Sequence, residues 1–231
     1  MPFGQIEDHT FFTQFLGPDS VVLDLGANHG AFSSAVIDRF GSRCFAVEAN
    51  PRLAAAISPH PKLTVLNLAV GPEPGVLPFY ISAHDEASSL RRPPGIDNPE
   101  SVSVRVVRID ELTAELGLSR IDLLKVDIEG VETDALAACP DDFLRGVPQI
   151  TVEFHDFNGM ITREAAEQTV ARLRSLGFEA VRMWMRSYGD TLFVNRKLAP
   201  VGAIDWLWAR AAQRNWWWFR RFIARKLGLA R

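Results

Sequence analysis

The sequence predicts an α/β protein: a mostly parallel sheet with helices on both faces and a closing antiparallel strand, followed by a C-terminal amphipathic helix. Three observations carry this expectation. Val21-Val22-Leu23-Asp24-Leu25 is an apolar run interrupted by one acid, and it enters Gly26-Ala27-Asn28-His29-Gly30 directly, as a buried parallel strand enters a tight turn before a helix. Two further strand-helix alternations follow at once, which implies right-handed parallel crossovers. Near the end, Phe178–Met183 and Thr191–Val194 flank Tyr188-Gly189-Asp190, the pattern of a closing antiparallel pair.

Taken in order, residues 6–16 carry Phe11, Phe12, Phe15 and Leu16 at helical spacing and are expected to form a helix packed across the start of the sheet. The first core strand is followed by a helix from Ala31 to Phe40. Cys44–Glu48 is the second strand, and Pro51 suits the first position of a helix over 51–58. Leu63–Val70 is the third strand, bringing Asn67 and Ala69 to its carboxyl end. Prolines at 72, 74, 78, 93 and 94 then forbid a long helix, so a hairpin over 76–82 and a long loop containing His84–Leu90 are expected. Val102–Ile109 returns as a strand, with Asp110 capping a short helix over 111–116. Ile121–Asp127 is the fourth core strand, followed by a helix over 131–138; Gln149–Phe154 is the fifth, followed by a helix over 162–176.

In such a sheet, ligands bind beyond the carboxyl ends of the strands, so Asp24, Glu48, Asp127 and Glu153-Phe154-His155-Asp156 are expected to face one crevice. Glycines at a strand-helix turn let the backbone approach a ligand. Dinucleotide sites require Gly-x-Gly-x-x-Gly, which is absent. An acid at the strand end instead suits a ligand carrying an amine, such as S-adenosylmethionine, and Glu48 is placed to accept both hydroxyls of a ribose.

The whole chain sets bounds. It has 231 residues, 47% of them hydrophobic, and a net charge of −3, which gives no electrostatic case for nucleic acid. Two cysteines make no disulfide framework, no run of 18 apolar residues occurs, and the first residues lack the basic-then-apolar pattern of a signal peptide. These features predict a cytoplasmic protein. Charge is unevenly distributed: seven Arg or Lys and one acid follow Pro200, whereas 18 basic and 27 acidic residues stand before it.

The runs Asp24-x-Gly-Ala-Asn-x-Gly30, Glu48-Ala-Asn-Pro51, Asn67-Leu-Ala-Val-Gly71, Ser88-Ser89, Arg108-Ile-Asp-Glu-Leu112, Asp122-Leu-Leu-Lys-Val-Asp-Ile-Glu-Gly-Val-Glu132 and Glu153-Phe-His155 resemble, in order, the landmarks of the FkbM-family S-adenosylmethionine-dependent methyltransferases. The resemblance spans about residues 6–195. It implies a Rossmann-like methyltransferase fold over 1–199 and methyl transfer to oxygen, often on a sugar hydroxyl of a polysaccharide, glycolipid or macrolide. By matching position, Asp24, Gly26, Ala27, Asn28 and Gly30 would hold the methionine part of the cofactor, Glu48 and Ala49 the ribose, with Asn67, Ala69 and Ser89 nearby and Asp127 beside the sulfonium.

Transfer to an alcohol also needs its proton removed. The candidates are a base, His155 or Asp127, or a divalent metal such as Mg²⁺ held by Asp127, Glu153 and Asp156, with metal-independent catalysis equally compatible. Glu129 and Glu132 fit the first turn of the following helix, and Lys125 is expected to snorkel to the sheet edge. The tail over 200–231 reads as a basic amphipathic helix carrying five of the six tryptophans. It suits the inner face of an anionic membrane presenting a lipid-linked saccharide, its own domain, or a second copy in a homo-oligomer. A non-catalytic scaffold subunit recruited to a membrane complex is the alternative function.

Overall fold

The structure is a computed structural model and describes residues 3–82, 88–92, 99–184, 186–207 and 209–210. The strands are β1 (Phe3–Ile6), β2 (His9–Phe12), β3 (Val21–Leu25), β4 (Arg43–Val47), β5 (Leu63–Leu66), β6 (Ala69–Val70), β7 (Gly75–Tyr80), β8 (Ser101–Val107), β9 (Leu123–Val126), β10 (Gln149–Glu153), β11 (Phe178–Arg182) and β12 (Asp190–Asn195). The helices are α1 (Ala31–Phe40), α2 (Pro51–Ala56), α3 (Ile109–Glu115), α4 (Glu132–Ala138), α5 (Asp141–Arg145) and α6 (Arg163–Ser175).

Seven strands form the main sheet in the order β11-β12-β10-β9-β3-β4-β5. β3, β4, β5, β9 and β10 are parallel, and β12 runs antiparallel to both of its neighbours. This is the expected Rossmann-like α/β architecture with one reversed strand. The continuous apolar run of β3 has a simple cause. Val21, Leu23 and Leu25 enter the core on one face with Leu136, Val170 and Leu173, while Val22 enters the other with Phe32 and Val36.

Several elements depart from the periodicity. Residues 6–16 are not one helix: β1 and β2 form an antiparallel hairpin turning at Glu7-Asp8, where Glu7 takes a φ of 50°, and only Thr13–Phe15 is helical, as a single 3-10 turn. The hairpin is buried on both sides, so Phe11 and Phe12 are both fully enclosed and no one-faced pattern distinguishes strand from helix. It is tied to the sheet by bonds no local pattern reveals: the Phe12 N–H donates to the Gln149 amide oxygen at 2.8 Å and the Thr10 hydroxyl to Asp190 at 2.6 Å.

The third strand breaks at Asn67, whose amide donates to the carbonyls of Glu48 and Ala49 at 2.9 and 3.1 Å. Beyond it, β6 leaves the main sheet and joins β8 and β7 in a separate three-stranded sheet. The hairpin expected over 76–82 does not form: Gly75–Tyr80 is one strand, and its antiparallel partner is β8, across the long loop. His84 to Ala87 of that loop lie outside the described residues. Asp110 does not cap α3. Arg108 stands at the cap, and Asp110 accepts its guanidinium at 2.7 and 3.1 Å.

The start of the tail folds back on the body. Residues 203–207 and 209–210 are helical, Trp206 is buried edge-on to Phe12 at 5.6 Å, and Arg210 pairs with Glu179 at 2.6 Å. The remainder, 211–231, lies outside the described residues. No helix among the described residues is long and apolar enough to cross a membrane.

Because Phe12 joins the hairpin, the sheet and Trp206 in one cluster, truncating it removes contacts on three sides. Phe12→Ala is expected to cost about 3–5 kcal/mol, read from urea unfolding as a lowered midpoint with an unchanged slope.

Candidate active site

Parallel pairing brings the carboxyl ends of β3, β4, β9 and β10 to one edge, where two adjoining cavities share Gly26, Asn28, Asp127 and Glu129. The smaller, about 70 Å³, is walled by Leu68, Ala69, Val70, Phe79 and Leu90, with Glu48 at its edge. The larger, about 520 Å³, is lined by Asp8, His9, Lys125, Glu153, His155 and Phe157 among others.

The turn between β3 and α1 is possible only with glycine at 26. Its φ is +78°, and a Cβ there would stand 1.7 Å from the Asp127 carbonyl oxygen. Asn28 also takes a left-handed φ, of 49°, and its N–H donates to Glu48 at 2.7 Å. Glu48 accepts the Asn50 N–H with its second oxygen, also at 2.7 Å. Each carboxylate oxygen keeps acceptor capacity toward the cavity. Burial raises the Glu48 pKa against these two bonds. The Asn28 side-chain oxygen is buried without a hydrogen-bond partner at the junction of the two cavities.

Not every expected contact lines the crevice. Asp24 is fully buried beneath the turn, where it accepts the Ser33 hydroxyl at 2.7 Å and pairs with Lys125 at 3.0 Å. A ligand amine in the crevice does not meet it directly. Gly30 begins α1 with φ +76° and makes room for Ile57, whose side chain would stand 2.8 Å from a Cβ, so it shapes packing rather than the cavity. Asn67 braces the β4 terminus. Ser89 donates to the Glu129 carbonyl at 2.5 Å and accepts from the Arg91 N–H, while its neighbour Ser88 lines the smaller cavity. Gly26, Ala27, Asn28, Glu48, Ala49 and Ala69 do border the crevice.

Lys125 does not snorkel. It is buried, and its ammonium donates to the Gly26 carbonyl at 2.8 Å between Asp24 and Asp127. Burial opposes the charge, but the two carboxylates hold its pKa above the ordinary lysine value. Burial likewise pushes Asp127 upward, yet Lys125, at 3.4 Å, and His9, also at 3.4 Å, together hold it well below the usual carboxylate range.

His155, a candidate base, is bracketed by two carboxylates that favour its protonated form. Its Nδ1 donates to Glu132 at 2.8 Å and its Nε2 to Glu129 at 3.1 Å, so both nitrogens carry protons. Burial disfavours that charge, but the two carboxylates raise its pKa to about 11. Glu129 is set for this by a left-handed φ of 51°, and Glu132 also accepts the N–H groups of Ile128 and Gly130.

Glu153 is a half-buried crevice carboxyl whose side chain no hydrogen bond reaches among the described residues. Burial and the nearby charge of Asp127 push its pKa up to about 8, against the attraction of His155. It is grouped with Asp127 and His9, with one donor atom of each lying within 4.8 Å of the others, and those three atoms have the composition of a divalent-cation site. Asp156 is not part of it: its carboxylate accepts the Tyr188 N–H at 3.0 Å. His9, supplied by the hairpin, takes its place. Sequence reasoning missed His9 because only tertiary docking of β2 beside β10 brings it to the crevice.

Lys125 neutralises two carboxylates at once, and its removal leaves both uncompensated. Lys125→Met is expected to destabilise the fold by about 3–5 kcal/mol, and adding Asp24→Asn should recover part of that loss in denaturant unfolding.

The family model described as the methyltransferase FkbM domain matches residues 24–192. AMB antimetabolite synthetase AmbE of Pseudomonas aeruginosa is 31% identical over 71% of the chain, which spans only 10% of that protein. 2-O-methyltransferase NoeI of Sinorhizobium fredii is 28% identical, over 78% of the chain and 82% of the relative. The 31-O-demethyl-FK506 methyltransferase FkbM of Streptomyces tacrolimicus is 30% identical, over 81% and 82%. Among solved structures, human methyltransferase-like protein 13 in complex with SAH is 15% identical with a TM-score of 0.47, over 84% of this chain and 81% of that one. The chain belongs to the FkbM methyltransferase family.

Proposed function

We propose that the chain is an S-adenosylmethionine-dependent O-methyltransferase acting on a sugar hydroxyl of a glycan, glycolipid or glycosylated natural product. The observation that carries the oxygen-directed chemistry is Glu153, an unbonded carboxyl in the larger cavity beside a cofactor cradle. The names of two relatives that match over most of their length, a 2-O-methyltransferase and a 31-O-demethyl-FK506 methyltransferase, support oxygen as the acceptor atom.

The cradle fits the cofactor. Gly26 leaves no room for a side chain, the Asn28 oxygen is an unpartnered acceptor suited to an amine, and Glu48 retains acceptor capacity for ribose hydroxyls. Ala49, Ala69 and the apolar wall of the smaller cavity suit an adenine ring. S-adenosylmethionine supplies an electrophilic methyl group carried on sulfonium. The chain's own work is to align the acceptor oxygen, exclude water and take the hydroxyl proton. Asp127 stays ionised and offers fixed negative charge. Glu153 takes the proton onto its carboxylate, since His155 is already fully protonated and Asp127 is a weak proton acceptor.

A second reading has an observation of its own: His9, Asp127 and Glu153 converge, and the two carboxylates would offer oxygen ligands to Mg²⁺, while the His9 imidazole suits a softer divalent ion better; either would lower the hydroxyl pKa in place of a base. Turnover that survives EDTA excludes it.

Calorimetric titration should show S-adenosylmethionine binding and no NADH binding, with the former abolished by Gly26→Ala; binding of neither ligand to the wild-type chain would favour a scaffold. With Glu153 as base, kcat should rise with pH and level off above about 8, as the carboxyl ionises. Glu153→Gln should lower kcat about 10²–10⁴-fold and remove that limb while leaving S-adenosylmethionine affinity in place. A glutamine variant that keeps the same pH limb would assign the proton to another group.

A further inference from the structure

Phe157 lines the larger cavity and leaves 46% of its surface exposed, in contrast to the buried aromatic residues of the core. Its ring lies 5.4 Å from that of His155, at 40°, and 5.4 Å from that of Trp184, at 50°. Both neighbours are fixed. His155 is held by Glu129 and Glu132, and the Trp184 indole rests against Gly189, where a Cβ would stand 2.7 Å from the nearest ring carbon. The row is therefore a rigid aromatic ledge. Polar groups border it in the same cavity: Asn158 beside Phe157, then Glu129 and Glu153.

The exposed face of one aromatic ring, Phe157, edged by carboxylates and an amide matches one class of ligand closely. A pyranose presents axial C–H bonds on a ring face and hydroxyl donors around its rim, so the face covers an aromatic ring while the rim donates to carboxylates. A volume of about 520 Å³ is within the usual range for small-ligand sites, on the order of 300–1,000 Å³. A wholly apolar acceptor would bury Glu153 without a donor, which is unfavourable.

We propose that Phe157, backed by Trp184, is the stacking platform of the acceptor site, on which a pyranose ring lies with a rim hydroxyl turned toward Glu153. This rests on the sugar-directed methyltransferase reading and adds the residues that select the ring. The platform acts on acceptor binding alone and leaves the cofactor cradle untouched.

The test is saturation-transfer NMR on the full chain loaded with S-adenosylhomocysteine, using methyl glycosides of glucose, galactose, mannose and fucose as probes. At least one glycoside should receive saturation, strongest at its ring C–H protons. Phe157→Ala should reduce that transfer at least five-fold, Phe157→Tyr should retain it, and calorimetry should show unchanged S-adenosylhomocysteine affinity in both variants. Phe157 is half exposed, so neither change threatens the fold. Equal transfer to Phe157→Ala and wild type, or no transfer to any glycoside from wild-type protein that binds S-adenosylhomocysteine, would overturn the platform. Failure of the wild-type chain to bind S-adenosylhomocysteine would instead overturn the methyltransferase reading beneath it.

Discussion

The buried ammonium of Lys125 is the interaction on which the site depends. It joins the end of β9 to the end of β3 by holding Asp24 at 3.0 Å, Asp127 at 3.4 Å and the Gly26 carbonyl at 2.8 Å. An ammonium buried without partners would lose its proton rather than carry charge in the interior. Paired on both sides, it fixes the two strand ends so closely that position 26 tolerates no Cβ. The cofactor turn and the Asp127 carboxylate are thus set by one contact, and a change in either strand end moves both.

From that clamp follows a division of labour among acids that look alike in sequence. Asp24 is fully engaged by Lys125 and Ser33. Glu129 and Glu132 are engaged by His155, and the imidazolium they stabilise offsets their charge in turn. Asp127 faces Lys125 and His9 and stays ionised. Glu153 faces Asp127 without a hydrogen bond and keeps its proton into the neutral range. Environment, rather than residue type, decides which carboxyl exchanges a proton, and a pair of acids with separated proton affinities is what acid-base chemistry at neutral pH requires.

The core of this arrangement is legible in the chain because its information is local. The apolar runs of β3, β4, β9 and β10, each ending in an acid or a glycine turn, declare a parallel sheet and the edge at which its ligands bind. The fate of each acid at that edge is not legible. Whether Asp24 reaches a ligand or Lys125 depends on strand order, since β9 lies beside β3 although about 100 residues separate them. Lys125 within an apolar strand is the clue, because a lysine there must either reach water or find buried carboxylates. His155 is open for the same reason: a histidine at a strand end suggests a base, and only the tertiary positions of Glu129 and Glu132 place a carboxylate against each ring nitrogen. The hairpin escapes a periodicity argument because aromatic residues enclosed on both faces carry no strand period, and His9 is hidden with it.

The two cavities are bounded by different parts of the fold. The smaller one is bounded by the β3 and β4 ends and by the separate β6-β8-β7 sheet, whose Phe79 and Val70 supply an apolar wall. The larger one is bounded by β9, β10 and the hairpin, whose Asp8 and His9 add charge and hydrogen-bonding capacity. Gly26, Asn28, Asp127 and Glu129 belong to both, so the two cavities meet at the turn where Gly26 has no room for a side chain. The remaining walls come from different elements, so a substitution in the wall of one leaves the wall of the other in place. The larger cavity is aromatic and acidic together, and its distinctive residues lie on the hairpin and the segment after β10, apart from the glycine turn that the two cavities share.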